Sequence, residues 1–328
     1  MYVFKGDAVI EMKKRVLVLG YSQTGQLSRI TDSIISPLIG ASEDIEVIKQ
    51  PIEPSTPFPF PWPFVTFFNN FPDTVYETPI ELKPLSIDVN ADYDLVILCY
   101  TVWFLSPSRP IGTFLNSEAA KTLLRDKPVV TVIGCRNMWL MAQEKVKEKL
   151  RNCGAKLIDN IVLTDQADSF ASLFATPLWM LSGSKGPFLG GLIPKAGVSE
   201  ADINNASRFG EVIRNKLIES NTPLQTMLTG LGAVKVDEKV IASEKIAHRS
   251  FRIWGKLLLS LGPQSSLPRK AVIFIYFTFL VIMLLTVVPL NALIKKLLAP
   301  VTHEHIQAQK TYYAAPSGEA TSYLEQQS

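Results

Sequence analysis

The residues best suited to bind a charged ligand follow a short apolar run near the start of the chain. Residues 16–20 (VLVLG) read as a buried strand, and an amphipathic helical pattern begins a few residues later. The connecting segment and the start of the helix consist of Ser22, Gln23, Thr24, Gly25, Gln26 and Leu27. Two hydroxyls, a glycine and the unpaired N–H groups of a helix N-terminus are the donors that a phosphate requires. The segment matches neither GxGxxG nor GxxxxGK[ST], so a dinucleotide-binding Rossmann motif and a P-loop are disfavoured. The same residues also fit a capped helix without a ligand.

Two further loops follow apolar strand patterns at 94–100 and 128–134. The first loop contains Tyr100, Thr101, Val102, Trp103 and Phe104, and the second contains Gly134, Cys135, Arg136, Asn137 and Trp139. A doubly wound sheet binds its ligands beyond the carboxyl ends of its strands, where all three loops would meet. The aromatic side chains can flank a flat ring, and Arg136 and Asn137 can hydrogen-bond an anion or a carbonyl. The alternatives are that Trp103 and Phe104 are core residues and that Arg136 pairs with a nearby acid.

The elements that position these loops alternate between strand and helix. The pattern predicts strands at 16–20, 45–48, 94–100, 128–134 and 155–163, and helices at 26–38, 116–125, 139–152 and 199–220. Nearly continuous apolar strands indicate a parallel sheet covered on both faces. We therefore predict an α/β domain at 15–220 with a doubly wound five-stranded sheet. Two long connections interrupt it: a Pro/aromatic insertion at 51–88, where nine prolines lead us to expect no helix, and a Gly/Ser/Pro-rich stretch at 166–198.

Much of the hydrophobicity of the chain is concentrated in one segment of its C-terminal third. Residues 271–294 contain no charge and would reach about 36 Å as a helix, which is enough to cross a bilayer. We predict a membrane helix there, with its main domain cytoplasmic because cations are more numerous before it than after it. Pro289 and Asn291 leave a re-entrant or interfacial geometry open. Around it we predict an N-terminal extension (1–14), a linker with an amphipathic helix (221–270) and a polar disordered tail (295–328).

Composition disfavours several kinds of site. The three cysteines show no CxxC spacing, and their odd number fits a reducing compartment. The three histidines all follow residue 220, so we expect no metal centre and no Ser-His-Asp or Cys-His site in the α/β domain. A net charge of +3 gives no reason to expect nucleic-acid binding.

Longer segments of the chain resemble known proteins. VLVLGYSQTGQL (16–27) resembles the phosphate loop of flavodoxins, and YTVWFLSPSRPIGTFL (100–115) is similar to the flavin loop of flavodoxin-like quinone reductases. FPWPFVTFFNNFP (60–72), DYDLVILCYTVWFLSPSRP (92–110), VIGCRNMW (132–139) and LIPKAGVSEADI (192–203) resemble the flavodoxin-like DarA family, the dialkylresorcinol condensing enzymes. The resemblance covers about 15–220. It implies strand order 2-1-3-4-5, FMN phosphate at residues 22–27 and its ring among residues 100–104 and 134–137. Leu27 departs from the flavodoxin pattern, where a hydroxyl completes the loop.

The resemblance implies a role in dialkylresorcinol or aryl polyene-type lipid biosynthesis, but the residues disfavour a condensing nucleophile. Cys99 lies within a strand, and Cys135 has no activating neighbour except Arg136. We predict either a cyclisation or an FMN-dependent oxidative aromatisation of a dialkylcyclohexanedione, because a flavin suits that oxidation. A separate ketosynthase and an acyl carrier protein are the predicted partners. We predict Arg136, Asn137 and Cys135 as catalytic candidates. The predicted substrate-binding residues are Phe60, Trp62, Phe64 and Trp139. The alternatives are a non-catalytic docking module for a ketosynthase or carrier protein and an FMN-dependent quinone reductase.

Overall fold

The computed structural model describes residues 2–5, 8–11, 13–167, 171–219 and 222–322, with side chains from residue 13 onward except 172 and 287–302. The strands are β1 (Tyr2–Lys5), β2 (Ala8–Glu11), β3 (Lys14–Gly20), β4 (Ile45–Pro51), β5 (Leu95–Tyr100), β6 (Val102–Trp103), β7 (Ser106–Pro107), β8 (Pro128–Cys135) and β9 (Lys156–Thr164). The helices are α1 (Gln26–Gly40), α2 (Phe64–Val75), α3 (Arg109–Leu115), α4 (Glu118–Leu124), α5 (Leu140–Asn152), α6 (Ser172–Ser182), α7 (Glu200–Asn205), α8 (Ser207–Glu219), α9 (Glu238–Ser260) and α10 (Leu267–Ala314).

The central sheet confirms the predicted fold class. Its five strands are parallel and run in the order β4-β3-β5-β8-β9, which is 2-1-3-4-5 when counted within the sheet. This is the flavodoxin-like doubly wound order, with its switch point between β3 and β5. All six residues of β5 are buried, as expected for a central strand covered on both faces. The carboxyl ends of β3, β5 and β8 lead directly into the three predicted ligand loops.

Helices cover the two faces of the sheet. On one face, α1 and α8 pack so closely that a Cβ atom at Gly210 would lie 1.7 Å from the carbonyl oxygen of Ile34. On the other face, the buried residues include Phe114 of α3, Val146 of α5 and Trp139. The predicted helix at 199–220 is divided into α7 and α8 around Ala206.

The Pro/aromatic insertion contains a helix that the sequence analysis excluded. The prediction is wrong for α2, because residues 64–71 hold no proline and Pro63 occupies the N-cap, where a missing N–H costs nothing. Eight consecutive residues of α2, from Phe68 to Val75, are buried. The insertion is thus packed into the protein.

The segments assigned as a linker and a disordered tail are also part of the folded core. Val234 and Val236 of the linker are buried in the same cluster as Tyr313 and Ala314. The tail prediction is wrong for the described residues: α10 continues to Ala314, and the Ser317 hydroxyl donates to Asp159 Oδ1 at 2.7 Å. The burial of Tyr313 and Ala314 and the Ser317–Asp159 hydrogen bond hold this stretch in the folded structure in spite of its polar composition.

The predicted amphipathic and membrane helices are both present as helices. The amphipathic segment is α9, whose N-cap Asp237 accepts from the backbone N–H of Lys239. Within α10, residues Leu267–Thr286 are long and apolar enough to cross a membrane, with a mean hydropathy of 1.9.

Gly210→Ala tests the close contact between α1 and α8. The added methyl group meets backbone that cannot move independently, so we expect the free energy of unfolding to fall by about 2–4 kcal/mol. Gly40→Ala is the matched control, because its Cβ meets nothing within 4 Å. In a helix end this change leaves stability within about 1 kcal/mol. Urea unfolding of the detergent-solubilised chain compares the two variants, and equal stability would contradict the close contact.

Candidate functional site

The first loop has the backbone geometry of a phosphate-binding helix start. Gly25 occupies the N-cap of α1 with φ of 76°, a left-handed conformation that favours glycine. The Ser22 hydroxyl accepts from the backbone N–H of Ser28 at 3.3 Å. Ser22, Gln23 and Thr24 are half-buried and Gly25 is exposed. The loop therefore offers backbone N–H groups and the Thr24 hydroxyl to a ligand at the positive end of a 15-residue helix.

The last two residues of the predicted loop face the protein interior. Leu27 is buried in the core between α1 and the sheet. The Gln26 side-chain oxygen accepts from the backbone N–H of Val198 at 3.1 Å and from the Lys185 ammonium at 3.0 Å. Side-chain contacts of Gln26 and Leu27 with a ligand are thus ruled out in this conformation, and only their backbone groups remain.

Lys185 is a residue of this site that the sequence analysis missed. It lies in the connection 166–198, and its ammonium stands 4.8 Å from the centre of the Trp179 ring as well as against Gln26. Burial lowers the pKa of Lys185 and the nearby Glu200 carboxylate partly opposes that shift. Glu200 supplies one anion near Lys185, and an anionic ligand at the phosphate loop would be a further partner for this charge.

The second loop separates its two large aromatic side chains. The Trp103 ring makes edge contacts with Tyr21 at 6.0 Å, Phe58 at 5.0 Å and Trp62 at 5.7 Å between centroids. Phe104, with φ of 48°, turns away to contact Phe67 at 5.0 Å. Of the two rings, Trp103 therefore lies beside the first loop, whereas Phe104 packs against α2. A ligand contact by Phe104 stays a prediction.

The other residues of the second loop are mostly enclosed. Tyr100 is fully buried and its hydroxyl donates to the Gln143 side-chain oxygen. Val102 pairs with Pro107 in a two-residue ladder. The Thr101 hydroxyl is buried, and no hydrogen-bond partner for it lies within the part of the chain that the structure describes. An unpaired buried hydroxyl is costly, so Thr101 is the residue of this loop best placed to bond a bound molecule.

The third loop is held in place from both sides. A Cβ atom at Gly134 would lie 3.0 Å from the side-chain end of Ile30 of α1, so the loop packs closely against that helix. The carbonyl of Cys135 accepts from the backbone N–H of Asp165 at 3.0 Å. The Arg136 guanidinium donates to the Met138 sulfur at 2.9 Å, and the Asn137 amide donates to Asp237 Oδ2 at 3.0 Å.

Glu244 of α9 is a second residue that the sequence analysis missed. It is fully buried, and its Oε1 accepts from the backbone N–H of Met141 at 2.7 Å, while Oε2 has no hydrogen-bond partner among the described residues. Burial raises the pKa of Glu244 from 4.5 to about 7, although the Arg136 charge and the backbone hydrogen bonds oppose that shift. No sequence pattern around Glu244 indicates this role, because the contact joins α9 to the start of α5, which lies about a hundred residues earlier in the chain.

The cysteine thiols are unsuited to nucleophilic chemistry. Burial raises the pKa of Cys99 to about 12, and it raises the pKa of Cys135 well above its usual range, with the Glu244 charge adding to the effect. A raised pKa keeps Cys135 as a thiol at neutral pH, which disfavours it as a nucleophile. The described residues include no group of three or more His, Cys, Asp or Glu side chains that could hold a metal ion.

The four predicted substrate-binding residues lie in different parts of the structure. Trp139 is 1% exposed in the core beneath the sheet, so its prediction as a substrate contact is wrong. Trp62 is buried beside Trp103, and Phe60 contacts Trp179 at 6.3 Å. Phe64 contacts Phe274 and Phe277 of α10 at 5.8 and 5.0 Å.

Two hydrogen bonds join the insertion to the first loop and to α6. The Gln23 side-chain amide donates to the carbonyl of Pro59 at 2.7 Å, and the backbone N–H of Trp62 donates to the carbonyl of Met180 at 2.8 Å. The structure thus brings together the phosphate loop, Trp103 and the Pro/aromatic insertion.

Comparisons with known proteins give structural similarities only. No family model matches the chain, and no curated protein matches it. A flavodoxin from the domain Archaea matches 62% of this chain and 98% of its own, with 10% identity and a TM-score of 0.35. A flavoprotein in complex with FMN from Lactobacillus acidophilus matches 45% of this chain and 93% of its own, with 21% identity and a TM-score of 0.37. A flavone reductase matches 66% of this chain and 67% of its own, with 11% identity and a TM-score of 0.35. The flavodoxin-like fold of the chain rests on the strand order of its own sheet.

Glu244→Gln tests the buried carboxyl group. Between about pH 4.5 and 7 the unfolded chain loses the Glu244 proton and the folded chain keeps it, so the wild type loses stability as pH rises. The glutamine retains the acceptor for Met141 and cannot ionise. We expect it to be more stable than the wild type at pH 8, by on the order of 3 kcal/mol, with the difference shrinking toward pH 4.5.

Urea unfolding at several pH values measures this difference. Glu118→Gln, at a side chain that is 85% exposed, is the control and should follow the wild type. A Glu244→Gln variant that is less stable than the wild type at pH 8 would contradict the burial argument.

Proposed function

We propose that the chain binds FMN at the carboxyl edge of its sheet and acts as a membrane-attached oxidoreductase. Its proposed reaction is the oxidation of a dialkylcyclohexanedione to a dialkylresorcinol, within dialkylresorcinol or aryl polyene-type lipid biosynthesis. The chemical part of this proposal draws on the three loops of the site. The pathway draws on the resemblance of the sequence to the DarA family.

The residues present fit FMN at both ends of the cofactor. The phosphate would be held by the N–H groups and hydroxyls of residues 22–26 at the start of α1, with Lys185 supplying a nearby positive charge. The unpartnered Thr101 hydroxyl and the Trp103 ring would contact the flat ring system, on the edge where β5 ends. When bound, FMN supplies an acceptor for the hydride that the cyclohexanedione loses on becoming aromatic.

A continuous series of aromatic contacts is the observation that carries the proposed substrate class. From Trp103 the contacts pass through Trp62, then Phe67 and Phe68, to Phe64 and on to Phe274 of α10, with centroid distances from 4.8 to 5.9 Å. This series connects the site to α10, whose residues Leu267–Thr286 are long and apolar enough to cross a membrane. A substrate with long alkyl chains needs such an apolar lining to leave a membrane without exposing its chains to water.

The chain's own residues then bind and orient the substrate and exclude water. The raised pKa of Cys135 disfavours thiolate condensation at this site, so the proposal assigns carbon-carbon bond formation to a separate ketosynthase partner. Arg136 keeps its charge beside the third loop, where a guanidinium can hydrogen-bond a carbonyl oxygen of a dione. Asn137 is held by Asp237 and serves to position this loop.

Lys185→Met tests the phosphate end of the site. Loss of one charge-assisted contact should weaken FMN binding by about 10- to 100-fold. Lys216→Met on α8, whose ammonium is exposed, is the matched control and should leave the affinity unchanged. Titration of the detergent-solubilised chain with FMN, followed by flavin fluorescence, measures both. Failure of the wild type to bind FMN would exclude the oxidoreductase and favour a non-catalytic docking module.

Phe64→Ala tests the aromatic series as a binding surface for alkyl chains. We expect KM for a long-chain dialkylcyclohexanedione to rise about tenfold, because burial of a phenyl ring contributes about 1.5–3 kcal/mol, while KM for a short-chain analogue stays unchanged. Ile39→Ala, at an exposed position of α1, is the control. Turnover is measured anaerobically as one resorcinol formed per FMN reduced. Reduction of simple quinones by NAD(P)H without resorcinol formation would instead indicate a quinone reductase.

A further inference from the structure

The two ends of α10 both contact α9, the helix that precedes it in the chain. Near its start, the Tyr276 ring lies 5.2 Å from the Trp254 ring of α9. Near its end, the Gln309 side-chain oxygen accepts from the Lys245 ammonium at 2.8 Å, and that ammonium stands 5.6 Å from the Tyr313 ring. Both ends of α10 are therefore fixed to α9.

A straight helix cannot make these contacts. Trp254 and Lys245 are nine residues apart on α9, or about 14 Å, whereas their partners Tyr276 and Tyr313 are thirty-seven residues apart on α10, or about 55 Å along a straight helix. The difference of about 40 Å exceeds the combined reach of the four side chains. The chain must therefore bend back between these two contacts. Pro289 and Pro300 lie in this interval, and proline is the commonest cause of a sharp helix bend.

The part of the chain that returns to the domain, residues 303–322, is held there by several contacts of different kinds. The Tyr312 hydroxyl donates to Glu144 Oε2 at 2.7 Å, and the Gln307 amide donates to Glu238 Oε2 at 3.1 Å. Tyr313 is buried, and Ser317 is bonded to Asp159 in the core. A helix that crossed the bilayer once would place residues 303–322 on the opposite side and would break every one of these contacts.

The charges of the returning half limit how deeply it can enter a bilayer. The residues after Pro289 include Lys295, Lys296, His303, Glu304 and His305. A charged residue at the centre of a bilayer costs about 2.5–3.5 kcal/mol, so this half cannot form a second apolar crossing. The first half is different, because it exposes large apolar side chains to its surroundings: Phe274, Ile275, Ile282 and Leu285.

We infer that α10 enters the bilayer and leaves it by the same surface, so that the protein is monotopic and its C-terminal residues lie on the same side as the α/β domain. The partner of the exposed apolar face is the acyl region of one lipid leaflet. This inference rests on the membrane attachment in the proposed function and is independent of FMN binding and of the reaction. With this topology the apolar part of α10 is a re-entrant segment and not the single span that the sequence predicts.

Side-selective labelling in sealed vesicles tests the topology. Glu304→Cys reports on the returning half and Glu118→Cys, at an exposed side chain of α4, reports on the domain. A membrane-impermeant maleimide should label both from the same side of the vesicle to within about twofold of each other. The wild type measures the background from its own cysteines, of which Cys99 and Cys153 are buried and Cys135 is half-buried. Labelling of the two variants from opposite sides would overturn the inference.

Cross-linking in the same membranes tests the bend directly. A short bismaleimide should join Lys245→Cys to Gln309→Cys within one chain, and neither single variant should give this product. Absence of the product in membranes would overturn the inference, as would complete release of the wild type by a high-salt wash. Neither readout involves flavin, so a chain that fails to bind FMN can still pass both tests.

Discussion

A buried ion pair between the insertion and the base of α10 is the interaction on which the arrangement of the site depends. Arg269 is 2% exposed, and its guanidinium donates to Asp73 Oδ2 at 2.7 Å and to the carbonyl of Asn69 at 2.8 Å. Gln264 donates to the same Asp73 oxygen at 2.9 Å. A buried guanidinium without partners costs several kcal/mol, so α10 cannot leave α2 at this point without a large penalty. This fixes α2, and α2 in turn fixes the aromatic side chains that lie between α10 and Trp103.

The C-terminal third supports the site and also carries the helix that is apolar enough to cross a membrane. Asp237 precedes α9 and holds Asn137 of the third loop, while Glu244 accepts from the N-terminus of α5 just after that loop. Val234 and Ile241 are buried in the core formed by the sheet and its helices. A flavodoxin-like domain that ended at residue 220 would lose these contacts. The five-stranded sheet and the segment that follows it are therefore one folding unit.

The sequence predicted the features that depend on local patterns. Continuous apolar runs identify β3, β5 and β8 because a central parallel strand is buried on both faces, and the glycine and hydroxyls before α1 identify the first loop because a helix start needs them. The positions of Lys185 and Glu244 depend on contacts more than a hundred residues apart in the chain, and no local pattern encodes such contacts. The position of Trp139 was predicted wrongly for a related reason, and Phe104 lies against α2 rather than beside the first loop. An aromatic residue at a strand end has the same local pattern whether it turns toward a ligand or into the core.

The bend in α10 places the aromatic series where a lipid-like molecule would reach it. Phe274 and Phe277 contact Phe64 of the insertion and lie in the half of α10 that is apolar enough for a bilayer. The returning half keeps its charged residues beside the domain, as the contacts of Gln307 and Tyr312 require. If α10 crossed the membrane once, loss of the returning contacts would expose the buried Tyr313 and Ser317 surfaces of the core. The proposed re-entrant geometry preserves that core and would still open the series of aromatic rings toward one leaflet, which is the arrangement that the proposed reaction on membrane-borne alkyl chains requires.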